Sequence, residues 1–197
     1  LVRRGMLNSL TYSLDVSNAA WPATNWTNAA SDILSPTGDS SGRKLTATAV
    51  GAPLLRTDKV ATSTTQTFVF VFKDGTYTTP RFVFRNATTA TILVDVSYAG
   101  ANSSGSSAYG TYEFTDYGSN GWKICRITCT SGITIGNSLG LYFGAGGTIT
   151  NGLYFYAWGG GLFDGAWTAA QIVAEGGITS TTTTAASNSS AGKYWWS

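Results

Sequence analysis

Histidine is absent from the 197 residues, so the Ser-His and Cys-His catalytic pairs and the commonest transition-metal ligand are missing together. Acid–base work would fall to the 10 Asp and Glu residues. A glycosidase-type carboxylate pair needs two such groups roughly 5 to 10 Å apart across a cleft. No motif marks a pair. Asp15, Asp39, Asp74, Asp116 and Asp164 stand mostly in turn-like contexts, where capping and Asx-turn bonding are the default roles. Cys125 and Cys129 fall within one predicted strand, which would separate them by about 13 Å, too far for a disulfide. They read as buried free thiols. Gly144 to Gly147 lacks the strand and helix context of a dinucleotide fingerprint and reads as a loop. The expected protein is not an enzyme.

Aromatic rings beside amides and carboxylates offer a different chemistry. A flat ring stacks on the apolar C–H face of a pyranose while neighbouring polar groups bond its hydroxyls. Trp26 lies in TNWTN, and Tyr77, Tyr98, Tyr109 and Tyr117 border polar loops that also hold Asp74, Asn102 and Asp116. These eight are the candidate carbohydrate contacts, each weighed against a ring that closes the sandwich edge or meets a subunit. Trp21, Trp122 and Trp158 sit at strand starts or in apolar runs and read as core.

Composition narrows the class. Charged residues make up 11%, against roughly 25% for an average domain, while 43% are hydrophobic and Trp, Tyr and Phe number 7, 10 and 9. The formal net charge of +2, from scattered Lys and Arg, creates no strong field for nucleic acid. No run approaches the ~18 apolar residues of a membrane-crossing helix, and no membrane partner is expected. Sugar binding on such a near-neutral surface should persist in high salt.

The elements that would position these rings are strands. Thr67–Lys73 (TFVFVFK) alternates Phe68, Phe70 and Phe72 with Val69 and Val71, both sets apolar, which predicts a central strand buried on both faces. Further strands are predicted over Arg81–Arg85, Thr91–Tyr98, Tyr109–Phe114, Trp122–Thr130, Ser138–Phe143 and Leu153–Trp158. Turn-forming stretches separate them at Lys73–Gly75, Gly100–Ser107 and Gly118–Gly121. One short helix fits Ala166–Ala174. Phe68, Phe70, Phe72, Ile92, Val94 and Leu153 are expected inside.

The order of landmarks resembles a known family. Asn8 to Trp21 (NSLTYSLDVSNAAW) resembles the "NLLTYSEDFSNAAW" opening of domains found in phage tail, fibre and other virion proteins. Pro36-Thr37-Gly38 with Lys44-Leu45 resembles "PDG…ADKL", and Phe70 to Gly75 (FVFKDG) resembles "FSVYAKAG". Asp116 to Cys125 (DYGSNGWKIC) is similar to "DVGNGWYRC", and Gly152 to Gly159 (GLYFYAWG) to "GLYLWGAQLEEG". The chain departs at Gly160-Gly161-Leu162-Phe163, where the family has Gln-Leu-Glu.

The resemblance implies an all-β, jelly-roll β-sandwich similar to carbohydrate-binding modules, carried on the virion surface as a capsid decoration, head fibre or tail appendage. Other virion proteins and a cell-surface glycan are the implied partners. The alternative is an accessory module of a secreted polysaccharide-degrading enzyme. No cofactor is expected, although modules of this type often hold a structural calcium ion, for which Asp15 and Asp164 are the candidates. The domain is expected over residues 9–175, after an arm at 1–8 and before a Ser/Thr-rich tail at 176–197. Tyr194, Trp195 and Trp196 end that tail and would dock either on a neighbouring subunit or on their own sandwich. A homo-oligomer is expected, a trimer if it assembles as phage appendages do.

Overall fold

The computed structural model describes residues 8–10, 14, 16–31, 33–49, 54–118, 120–145, 149–174 and 178. Asp15, Tyr194, Trp195, Trp196 and almost all of the tail lie outside the described residues.

Among the described residues, twelve strands and one short helix follow in order: β1 (Ala23–Thr24), β2 (Trp26–Ala30), β3 (Arg43–Ala47), β4 (Leu54–Val60), β5 (Gln66–Lys73) and β6 (Pro80–Asn86). Next come β7 (Thr91–Ser97), β8 (Ser104–Ser106), β9 (Gly110–Asp116), β10 (Lys123–Cys129), β11 (Ser138–Ala145), β12 (Tyr154–Asp164) and α1 (Ala169–Ala174). They form two antiparallel sheets, ordered β1-β4-β11-β6-β7-β8 and β2-β3-β12-β5-β10-β9. The chain is a jelly-roll β-sandwich, all-β as the strand rhythm predicts and a jelly roll as the resemblance implies.

Between the sheets lies an aromatic core. Phe70 stacks on Phe143 with centroids 3.8 Å apart, and Phe82, Phe84 and Phe155 join them. Strand β5 is buried on both faces, as its unbroken apolar run requires. Phe68, Phe70 and Phe72 enter this core, whereas Val69 and Val71 face a second cluster with Trp122, Ile124, Trp158 and Ile172. That cluster forms because α1 and the segment around Leu34 cover the outer side of the β12-β5-β10 sheet. Trp122 Nε1–H donates to the Leu34 carbonyl and Trp158 Nε1–H to Ser41 Oγ, both at 2.8 Å. Trp21, Trp122 and Trp158 are all core.

Helix α1 starts three residues later than its composition predicts, because Thr168 caps it. Thr168 Oγ1 accepts from Gln171 N–H at 3.2 Å and Gln171 Oε1 accepts from Thr168 N–H at 2.9 Å, a reciprocal capping box. The Gly100–Ser107 loop also contains more order than its polar composition implies, since β8 forms within it and pairs with β7.

Ile92 is a correction. Strict alternation places it inside with Val94, yet it is 50% exposed. The register between β6 and β7 shifts after Phe84, which pairs with Val94 while Arg85 pairs with Ile92. Leu93 is thereby inserted, turns inward beside Val94, and sends Ile92 to the opposite face. Leu153 is partly buried and packs against the core.

Gly160 has a packing reason. A Cβ at Gly160 would stand 2.7 Å from Trp21 Cη2. The bare backbone there admits the Trp21 ring, which meets Phe70 edge-on at 5.9 Å.

Candidate functional site

Cover by α1 lies over the β12-β5-β10 strands, whereas on the other sheet Asp58 and Ile92 are exposed. Strand β11 runs near its middle with the pattern Gly140-Leu141-Tyr142-Phe143-Gly144. Leu141 and Phe143 are buried in the core, so alternation turns Gly140, Tyr142 and Gly144 outward. The register then sets two rows across the sheet. Asp58, Gly140, Arg85 and Ile92 form one, and Arg56, Tyr142, Val83, Asp95 and Ser106 the next.

Tyr142 is the one aromatic residue in these two rows. Its ring leans along its own strand over Gly140, where a Cβ would come within 2.6 Å of Cε2 and 3.1 Å of the hydroxyl oxygen. Tyr142 is partly exposed, with its ring resting on the Gly140 backbone. The Arg56 guanidinium carbon lies over the ring at 5.1 Å from its centroid, within cation–π range, and so borders the ring.

Polar groups surround this platform in fixed positions. Arg56 Nε–H donates to Asp58 Oδ1 at 3.0 Å, and a second guanidinium nitrogen bonds the other carboxylate oxygen. Arg81 Nε–H donates to Asp95 Oδ1 at 2.6 Å in the same two-point manner. Their side chains are 42%, 39%, 34% and 22% exposed, so both pairs meet solvent. A flat ring ringed by oriented donors and acceptors is suited to a pyranose.

Two tyrosines on the outer side of β12 are already occupied. Tyr154 and Tyr156 meet edge-on at 5.5 Å, but the Lys44 ammonium sits 3.9 Å from the Tyr154 centroid and Tyr156 packs on the second hydrophobic cluster.

The loop-borne candidates do not gather into one platform. Trp26 is 6% exposed and stands edge-on to Phe155 at 4.9 Å, Tyr98 is 8% exposed, and Tyr117 packs over Trp158. These rings close the sandwich and offer no open side to a sugar, which corrects the expectation for them. Tyr77 and Tyr109 are half-buried against the core, and Asn102 is exposed on its loop. The structure does bring Asp74, Tyr98 and Asp116 together around Lys123. The Lys123 ammonium donates to Asp116 Oδ1 at 3.0 Å and lies 5.7 Å from the Tyr98 centroid. Burial raises the Asp74 carboxyl above its ordinary range and Lys123 partly opposes that.

Asp164 Oδ1 accepts from Thr62 Oγ1 and Gln66 Nε2, each at 2.7 Å, and so ties β12 to the start of β5. Among the described residues no three His, Cys, Asp or Glu side chains converge as metal ligands.

Sequence reasoning missed Tyr142, although a signal was present. A single ring between two glycines at i−2 and i+2, opposite two core residues, marks a strand face cleared for that ring.

No family model and no curated protein matches the chain. Among solved structures it is similar to TmCBM61, determined in complex with β-1,4-galactotriose, with 9% identity and a TM-score of 0.53 over 80% of this chain and 99% of that one. It is also similar to the enzymatically active domain of tailspike protein 4 from bacteriophage CBA120, at 12% identity and a TM-score of 0.49, over 79% of this chain and 21% of that one. A carbohydrate-binding module of the β-sandwich superfamily gives 13% identity and a TM-score of 0.42, over 81% of this chain and 62% of that one. The likeness to TmCBM61 is one of fold.

Proposed function

We propose that the protein is a non-enzymatic, glycan-binding component of a phage particle surface, and that the open sheet face around Tyr142 takes the sugar. The observation that carries the binding site is the Tyr142 ring laid over Gly140 between two solvent-facing Arg–Asp pairs. The shared fold with TmCBM61, which was solved with a galactotriose, supports the ligand class. The placement on a virion rests on the sequence landmarks from Asn8 to Gly159. The non-enzymatic reading is supported by the state of the carboxylates on this face. Asp58 and Asp95 are each held at two points by an arginine, which suits neither to shuttling a proton.

The experiment is a glycan array followed by calorimetry with the best ligand, for wild type and Tyr142→Ala. Binding that falls about tenfold or more in the variant, with unchanged melting temperature and no release of sugar, supports the reading. Full affinity in Tyr142→Ala, or turnover of the glycan, overturns it.

A further inference from the structure

We propose that this face selects acidic glycans, with a pyranose ring on Tyr142 and its carboxylate on the Arg85 guanidinium. The inference rests on the glycan-binding reading and adds the ligand's charge.

Three arginines face outward here, and two are neutralised within the protein, Arg56 by Asp58 and Arg81 by Asp95. Arg85 is different. Among the described residues no carboxylate pairs with it, and its Nε is buried without a hydrogen-bond partner. Its neighbour on the far side of the row is Ile92, which offers no side-chain acceptor. The face therefore carries one positive charge that no carboxylate among the described residues compensates.

Position makes that acceptor part of a stacked sugar. Arg85 pairs with Gly140, the residue beneath the Tyr142 ring. Adjacent strands lie about 4.8 Å apart, so the Arg85 side chain starts from the strand next to the ring. A carboxylate on a ring carbon of a stacked pyranose falls within its reach. A neutral hydroxyl would accept one bond, whereas a carboxylate matches the planar fork with two parallel charge-assisted bonds. The shared ligand chemistry is thus a pyranose bearing a carboxylate, as in a hexuronate or a sialic acid. The near-neutral composition predicts salt-insensitive binding, and the local charge at Arg85 reverses that expectation.

The test is calorimetry on the intact chain with three probes: an oligogalacturonate, the same oligomer with its carboxyls reduced to alcohols, and a sialylated oligosaccharide. At least one acidic probe should bind about tenfold tighter than the reduced oligomer. That margin should shrink as salt rises from roughly 0.05 to 0.5 M. Arg85→Met should erase the margin while leaving affinity for the reduced oligomer, and Arg85→Lys should keep part of it, with thermal melts confirming that both variants fold. Equal binding of acidic and reduced probes, or a margin that survives in Arg85→Met, overturns the proposal. Loss of the margin with Tyr142-dependent neutral binding intact leaves the glycan-binding reading standing; no binding by any probe overturns both.

Discussion

The Tyr142 ring lies over Gly140, two residues earlier on its own strand, with Cε2 2.6 Å from where the first carbon of any side chain at 140 would stand. The absence of a side chain at 140 is therefore what sets the ring's angle. Gly140→Ala should tilt the ring off the sheet and weaken glycan binding about tenfold, with a smaller change in stability. Calorimetric affinity and a thermal melt on one sample separate the two effects. An alanine variant that binds as wild type would show that the ring's angle does not matter.

The stacked pair Phe70 and Phe143, both at most 1% exposed, sits at the centre of the core. Phe70→Ala should cost about 3 to 5 kcal/mol, since it removes a fully buried ring and leaves a cavity lined by rigid neighbours. Urea unfolding monitored by Trp fluorescence checks this; a loss under 1 kcal/mol would mean that the core collapses around the gap.

Cys125 and Cys129 are buried and unpaired. Burial pushes the Cys129 thiol up to about 12 and the Cys125 thiol well above its ordinary range, so neither supplies thiolate near neutrality. A thiol reagent at about pH 8 should leave the native protein unlabelled and modify both thiols once urea unfolds it. Rapid labelling of the folded chain would contradict the burial.

Asp74 supplies a pH test. Burial raises its carboxyl above the ordinary 3.8. A raised acid binds its proton more tightly when folded, so its support for folding is complete below 3.8 and is lost as pH rises through the folded value. Asp74→Asn should therefore stabilise the protein near neutrality, and the gain should vanish below 3.8. Urea midpoints on both sides of that value decide it, and a gain of equal size in acid would be inconsistent with titration at this site.

The sequence by itself determined the class of fold and most of its elements. Alternating aromatics in TFVFVFK and RFVFR, bounded by Gly, Asn and Asp turns, have no stable arrangement except strands with a shared aromatic core. Local chemistry was enough for the unbridged cysteines and for the core tryptophans. What only the tertiary structure decided was exposure. Tyr98, Tyr117 and Trp26 border polar loops yet close the sandwich, because a ring's surroundings are set by the strand packed against it and not by its neighbours along the chain. Ile92 turned outward because one inserted residue in β7 shifts the pairing register, an event that period-two alternation cannot encode. Tyr142 became a candidate platform, and Arg85 its charged neighbour, only once the other sheet's outer face was covered by α1 and the Leu34 segment. Pairing between strands far apart in sequence brings β4, β11 and β6 side by side, and the site exists in that juxtaposition.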